Sequence, residues 1–309
     1  MANELEKYLD PKVLSKITRL DLQARLVVEG FISGMHRSPF HGFSVEFASH
    51  REYSPGDDIK HLDWKVHAKT DRWVIKQYEE ETNLKATFLV DASESMHYGT
   101  VGKKDGMTKF DYAAALAASL GFLLLQQQDA VGLTVFDEQI LTHLPASANQ
   151  NHIKQFVHAL SVTECKAKTS METICHGVAE KISRRGMVCV VSDLFTDIDG
   201  LIRGLQHFRH YNHEVMVLHV MDQDELTFPF QGNTMFRGLE DTGRVTVEPR
   251  ALRQGYLDVV NRFCTEVKRK CVANHIDYKL VSTADRLDAA LMAFLGARAA
   301  ATRKSSAKK

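Results

Sequence analysis

"LVDASESM", residues 89–96, ends an apolar run on an acid and then sets serines at every second position, giving Asp91, Ser93 and Ser95. Asp and Ser are ordinary turn and helix-capping residues, so a capped turn is the plain reading. The same carboxylate and two hydroxyls, at the point where a buried strand surfaces, also suit a hard divalent cation that prefers oxygen ligands. Which reading holds depends on the fold that presents them.

Five apolar runs have strand character: "ATFLVD" (86–91), "AVGLTVF" (130–136), "MVCVVSD" (187–193), "VMVLHVMD" (215–222) and "DYKLVS" (277–282). They lack polar alternation, which predicts strands covered on both faces, as in a mostly parallel sheet. Helical patterns lie between them. Residues 110–129 are rich in Ala and Leu, and residues 170–184 put Met171, Ile174, Val178 and Ile182 on one face. Further helices are predicted at about 197–210, 250–273 and 285–298. The alternation predicts a doubly wound, Rossmann-like α/β domain. "TVF" is followed by Asp137-Glu138 and "QILTHL", too short for a helical crossover, so an antiparallel edge strand is expected there. Residues 227–249 read as an insertion with a short β pattern at Phe236 and Val245–Val247.

The first 84 residues differ. A helix at about 12–28 precedes a β- and turn-rich extension that carries both tryptophans, Trp64 and Trp73, read as packing anchors. Three segments follow from this: an extension over 1–84, the α/β domain over 85–298, and a disordered basic tail over 299–309.

With 39 basic and 39 acidic residues the chain has no net charge, which argues against a broadly basic nucleic-acid surface. Five cysteines with no CxxC pair argue against a disulfide framework or a zinc site. His36, His41, His50, His61 and His67 match no helical ligand spacing, and zinc is not expected among them. No run approaches the roughly 20 apolar residues of a membrane span, and the polar start "MANELEKYLDPK" is unlike a signal peptide. A cytoplasmic protein without a membrane span is expected.

In open α/β sheets, ligands bind beyond the carboxyl ends of strands where strand order reverses. Asp91 closes the first strong strand and Asp193 closes the third. If those strands are neighbours across the reversal, Asp91, Ser93, Ser95 and Asp193 converge. Such a set suits Mg²⁺ or Mn²⁺ and leaves a position for an outside oxygen, most naturally a partner's carboxylate. No G-x-S-x-G elbow supports a serine nucleophile, and "YGTVGKKDG" (98–106) is no phosphate-binding loop.

The D-x-S-x-S pattern resembles the metal-ion-dependent adhesion site of von Willebrand factor type A domains. That resemblance implies a further threonine before a helix, matched by Thr169, and an aspartate after a later strand, matched by Asp193. The segment 42–64 resembles the hallmark of the DUF58 family, carried by Gly42, Glu46, Phe47, Arg51, Tyr53, Gly56, Asp57, Asp58, Asp63 and Trp64. Together they imply a von Willebrand factor A-like domain with a cation at Asp91, Ser93, Ser95, Thr169 and Asp193. They imply a non-enzymatic interaction module working with a MoxR-type AAA+ ATPase and a client protein, in chaperone-like assembly or cofactor insertion. Asp57, Asp58 and Glu94 are candidate partner contacts. A metal-dependent hydrolase using the same site is the enzymatic alternative.

Overall fold

A computed structural model describes residues 45–54, 62–80, 85–99, 107–126, 128–165, 171–182, 185–237, 243–285 and 287. Two compact units divide the chain, one of them Ser33–Asn83. In that unit β1 (Val45–Glu52) pairs antiparallel with β2 (Val74–Glu80), with a bulge between Phe47 and Ser49. Between them stands the short helix α1 (Trp64–Thr70). Asp63 caps it, accepting from the backbone N–H groups of Lys65 at 3.0 Å and Val66 at 3.3 Å. The tryptophans are not packing anchors: Trp64 is 57% and Trp73 49% exposed. Because α1 buries none of its residues, these rings pack on one another at the surface. Trp73 stands 4.1 Å from the His67 ring and 6.1 Å from Trp64.

The larger unit is built on a six-stranded sheet. Its strands are β3 (Lys85–Asp91), β4 (Ala130–Phe136), β5 (Ile140–Ser147), β6 (Met187–Ser192), β7 (Glu214–Met221) and β10 (Asp277–Ser282), in the order β10-β7-β6-β3-β4-β5. All neighbours are parallel except β4 and β5. β5 is the expected antiparallel edge strand, reached through the tight turn at Asp137–Gln139. β3 is buried from Ala86 to Asp91 and β6 along its whole length, because helices cover both faces. α2 (Lys109–Gln126) and α3 (His152–Ser161) lie on one side, where Phe156 meets Phe88 edge to face. α4 (Met171–Lys181), α5 (Ile198–His210) and α7 (Pro249–Ala273) cover the other, closing a core of Leu89, Val190, Val217, Ile174, Leu205 and Val267.

The single-turn helix α6 (Gln223–Thr227) follows β7, and a two-stranded ribbon, β8 (Thr234–Arg237) with β9 (Arg244–Val247), forms the insertion. Phe228 packs on Phe236 of this ribbon and on Tyr256 of α7. This is a doubly wound α/β fold. The chain leaves β3 toward β4 and β5, then returns on the opposite side at β6, so strand order reverses between β3 and β6. The predicted helices at 12–28 and 285–298 and the basic tail fall outside the described residues, apart from residue 285 and residue 287.

Candidate cation site at the β3–β6 rim

β3 delivers Asp91 to the sheet's carboxyl rim almost fully buried, at 1% exposure. Its Oδ1 accepts the Ser93 backbone N–H at 2.8 Å, an Asx-type turn that swings the chain out of the sheet. A turn of 3₁₀ helix follows over Glu94–His97, pinned by the fully buried Met96. The Ser93 and Ser95 Oγ atoms lie 3.1 Å apart on this turn. The return path is equally tight. The Tyr98 carbonyl accepts the Lys109 N–H at 2.8 Å, and Gly99 crosses Thr108 so closely that a Cβ would stand 2.6 Å from the Met107 carbonyl oxygen. Only glycine fits there.

Register carries the second strand end to the same place. Val90 pairs with Val191, so Ser192 comes level with Asp91, and its hydroxyl donates to Asp91 Oδ2 at 2.5 Å. Ser192 Oγ also accepts the Leu194 N–H at 2.9 Å, turning the chain through left-handed Leu194. Asp193 follows, 1% exposed. Its Oδ2 accepts from the Lys109 ammonium at 2.7 Å, while its Oδ1 accepts the Phe195 N–H at 3.3 Å.

Lys109 is wholly buried at the start of α2. Its ammonium also donates to Glu225 Oε1 at 2.8 Å and stands 4.8 Å from the Phe195 ring centroid. Glu225 is itself fixed by a capping box, its Oε2 accepting the Asp222 N–H at 2.8 Å. The ammonium therefore ties the loops after β6 and β7 to the first turn of α2.

Burial, and then the negative Asp193, push the Asp91 carboxyl up to about 6; the bonds from Ser192 and Ser93 pull the other way. Burial works to lower the Lys109 pKa, but Asp193 and Glu225 outweigh it and hold the ammonium charged. Glu225 is raised by burial, with Lys109 opposing. In β7, level with Ser192, lies His219, which burial pushes down to about 4; its Nδ1 bonds the Tyr278 hydroxyl at 2.7 Å.

The structure thus brings Asp91, Ser93, Ser95 and Asp193 to one rim, with Glu94 half-buried on the same turn. Thr169, Asp57 and Asp58 lie outside the described residues, as do His36, His41 and His61. Among the described residues no three His, Cys, Asp or Glu side chains converge as a metal-ligand cluster. A site of two carboxylates and two hydroxyls is different in kind. Adjacent ligands of an octahedral Mg²⁺, each at about 2.1 Å, stand about 3.0 Å apart. The 3.1 Å between the Ser93 and Ser95 hydroxyls fits that spacing, beside a carboxylate held in place by two donors.

Three residues at the rim were not anticipated from the sequence: Ser192, Lys109 and Glu225. Two of them had signals. Glu225 stands three after Asp222, the spacing of a capping box. Lys109 opens a helix, where the dipole disfavours a cation.

Residues 49–263 match the family described as "Protein of unknown function DUF58". The chain is 25% identical over 234 residues to the uncharacterised protein Rv1480 of Mycobacterium tuberculosis, covering 75% of this chain and 72% of that one. It is equally similar to the uncharacterised protein Mb1516 of Mycobacterium bovis. Among solved structures it is similar to BatB from Bacteroides thetaiotaomicron, at 17% identity and a TM-score of 0.47, covering 70% of this chain and 99% of that one. It is also similar to the SpRpn10 VWA domain, at 13% identity and a TM-score of 0.39, covering 68% and 94%. These structural likenesses carry no functional argument; the architecture rests on the strand order itself.

Proposed function

The chain belongs to the DUF58 family, and we propose that it is a protein-interaction module whose β3–β6 rim binds a divalent cation and, through it, an acidic side chain of a partner. The observation that carries this reading is the 3.1 Å spacing of the Ser93 and Ser95 hydroxyls beside the buried Asp91. Asp91, Ser93 and Ser95 are the residues that would hold Mg²⁺ or Mn²⁺, with Asp193 at the same rim and Thr169 completing the set that the resemblance implies. When bound, the cation supplies a coordination position for an outside oxygen.

The chain's own residues do the positioning. The Ser93 N–H and the Ser192 hydroxyl hold the Asp91 carboxylate in one orientation, so its oxygens need no reorganisation on binding. Met96 fixes the turn that aims both serines. Lys109 is held charged by two carboxylates, which unsuits it as a proton acceptor and favours recognition over hydrolysis. The partner proposed is a MoxR-type AAA+ ATPase, acting with this chain on a client protein; the family resemblance supports it. Among the described residues no helix is long and apolar enough to cross a membrane.

Calorimetric titration with MgCl₂ and MnCl₂ tests the site: the wild type binds and Asp91→Ala does not. Equal heats in both proteins refute the proposal. A pull-down of the ATPase that survives chelation would separate partner binding from the cation.

A further inference from the structure

A wholly buried ammonium in the first turn of a helix faces the positive end of the helix dipole, so its position must be held by what surrounds it. For Lys109 those groups come from two other loops: Asp193 Oδ2 at 2.7 Å after β6 and Glu225 Oε1 at 2.8 Å in α6. The Phe195 ring, 4.8 Å away, packs against the same charge. The other oxygen of Asp193 accepts the Phe195 N–H. Asp193, like Asp91, has both oxygens engaged by donors of this chain, but one of its donors is a cation that repels any second cation brought to the same carboxylate.

Resting on the reading that this rim binds a divalent cation, we infer that Lys109 is a positioning residue. It takes Asp193 for itself and so directs the cation to the face made by Asp91, Ser93 and Ser95. The two strand-end acids then have separate duties. Asp91 meets the cation, whereas Asp193 braces the loop after β6 against α2 and α6. Replacing Lys109 by an uncharged side chain releases Asp193 to the rim and strengthens cation binding. A lysine with a purely structural role would give the opposite, since loosening the rim weakens the site.

The test is titration calorimetry with MgCl₂ on the full chain, for wild type, Lys109→Met, Asp193→Asn, the double variant and Asp91→Asn, with folding checked by circular dichroism. Lys109→Met binds about tenfold more tightly than wild type, since the Asp193 carboxylate loses its ammonium and its negative charge becomes available at the rim. Adding Asp193→Asn to it cancels that gain. Asp193→Asn alone loses at least about tenfold less affinity than Asp91→Asn, because an amide keeps an acceptor for Lys109 and the cation keeps its carboxylate. Unchanged or weaker binding by folded Lys109→Met overturns the inference, as does an equal loss in the two aspartate variants. If Lys109→Met does not fold, that pair of aspartate variants decides alone. A wild type that binds no Mg²⁺ brings down the cation reading and this one together. Binding by the wild type with equal losses removes only this one.

Discussion

The ends of β3 and β6 are neighbours in one sheet, and each runs out into a buried aspartate, yet the two are furnished differently. Among the described residues, Asp91 accepts from neutral donors, a backbone N–H and the Ser192 hydroxyl, with two more hydroxyls on the turn beyond. At Asp193 one donor is the Phe195 N–H and the other a buried ammonium shared with Glu225. The residue type is the same, and what differs is the element packed against it. A carboxylate among dipoles remains suited to an incoming cation, while one already on an ammonium acts as a brace.

Removing the brace has the largest expected effect on stability. Lys109→Met leaves Asp193 and Glu225 buried without their shared cation, and breaking a buried ion pair costs about 3–5 kcal/mol. Urea unfolding measures it; a cost below about 1 kcal/mol would mean the rim relaxes freely and the contrast with Asp91 is shallow. Next comes the link between the two strand ends. Ser192→Ala removes the donor to Asp91 Oδ2 and the acceptor for the Leu194 N–H, at a cost of about 1–3 kcal/mol. It also weakens Mg²⁺ binding, and an unaltered affinity would show that Asp91 is oriented by other means.

A smaller effect concerns acid. His219, held neutral by burial with a pKa of about 4, gives stability that is whole above its ordinary value near 6.5 and is lost as pH falls toward 4. Asp91 works the other way. Raised to about 6, it favours the folded state increasingly as pH falls from 6 toward its ordinary 3.8. The melting temperature of His219→Gln should therefore fall less between pH 7 and pH 5 than that of the wild type, by about 2–4 °C. Equal slopes would mean that His219 takes up a proton without opening the fold. The smallest change is Phe195→Leu, which removes the ring beside the Lys109 ammonium and costs about 0.5–1 kcal/mol in thermal unfolding. A larger cost would make the ring, rather than the carboxylates, the main partner of Lys109.

Much of this was legible in the sequence because buried parallel strands are written as unbroken apolar runs. "AVGLTVF" coincides with β4 residue for residue; "DYKLVS" matches β10 in its bounds too, although that edge strand is only partly buried. The oxygen pattern of 91–95 was equally plain, since its spacing is local. The helix α3 was not anticipated, although Ile153, Phe156, Val157 and Leu160 recur at helical spacing and are buried. Asn, Gln and His around them mask that stripe. The tryptophans misled because size and apolarity predict burial, while Trp64 opens the short, exposed α1 and Trp73 sits in the link between α1 and β2. Lys109 was the deepest miss. Its place at a helix start was the only local hint, and its burial is set by residues 84 and 116 positions away.

Whether Asp91 serves a cation is read from thermal melting in saturating MgCl₂ and in chelator. A ligand bound only by the folded state raises the melting temperature in proportion to its occupancy. The melting temperature of the wild type rises with Mg²⁺ and that of Asp91→Asn does not. The same shift in both proteins, or none in the wild type, would contradict it.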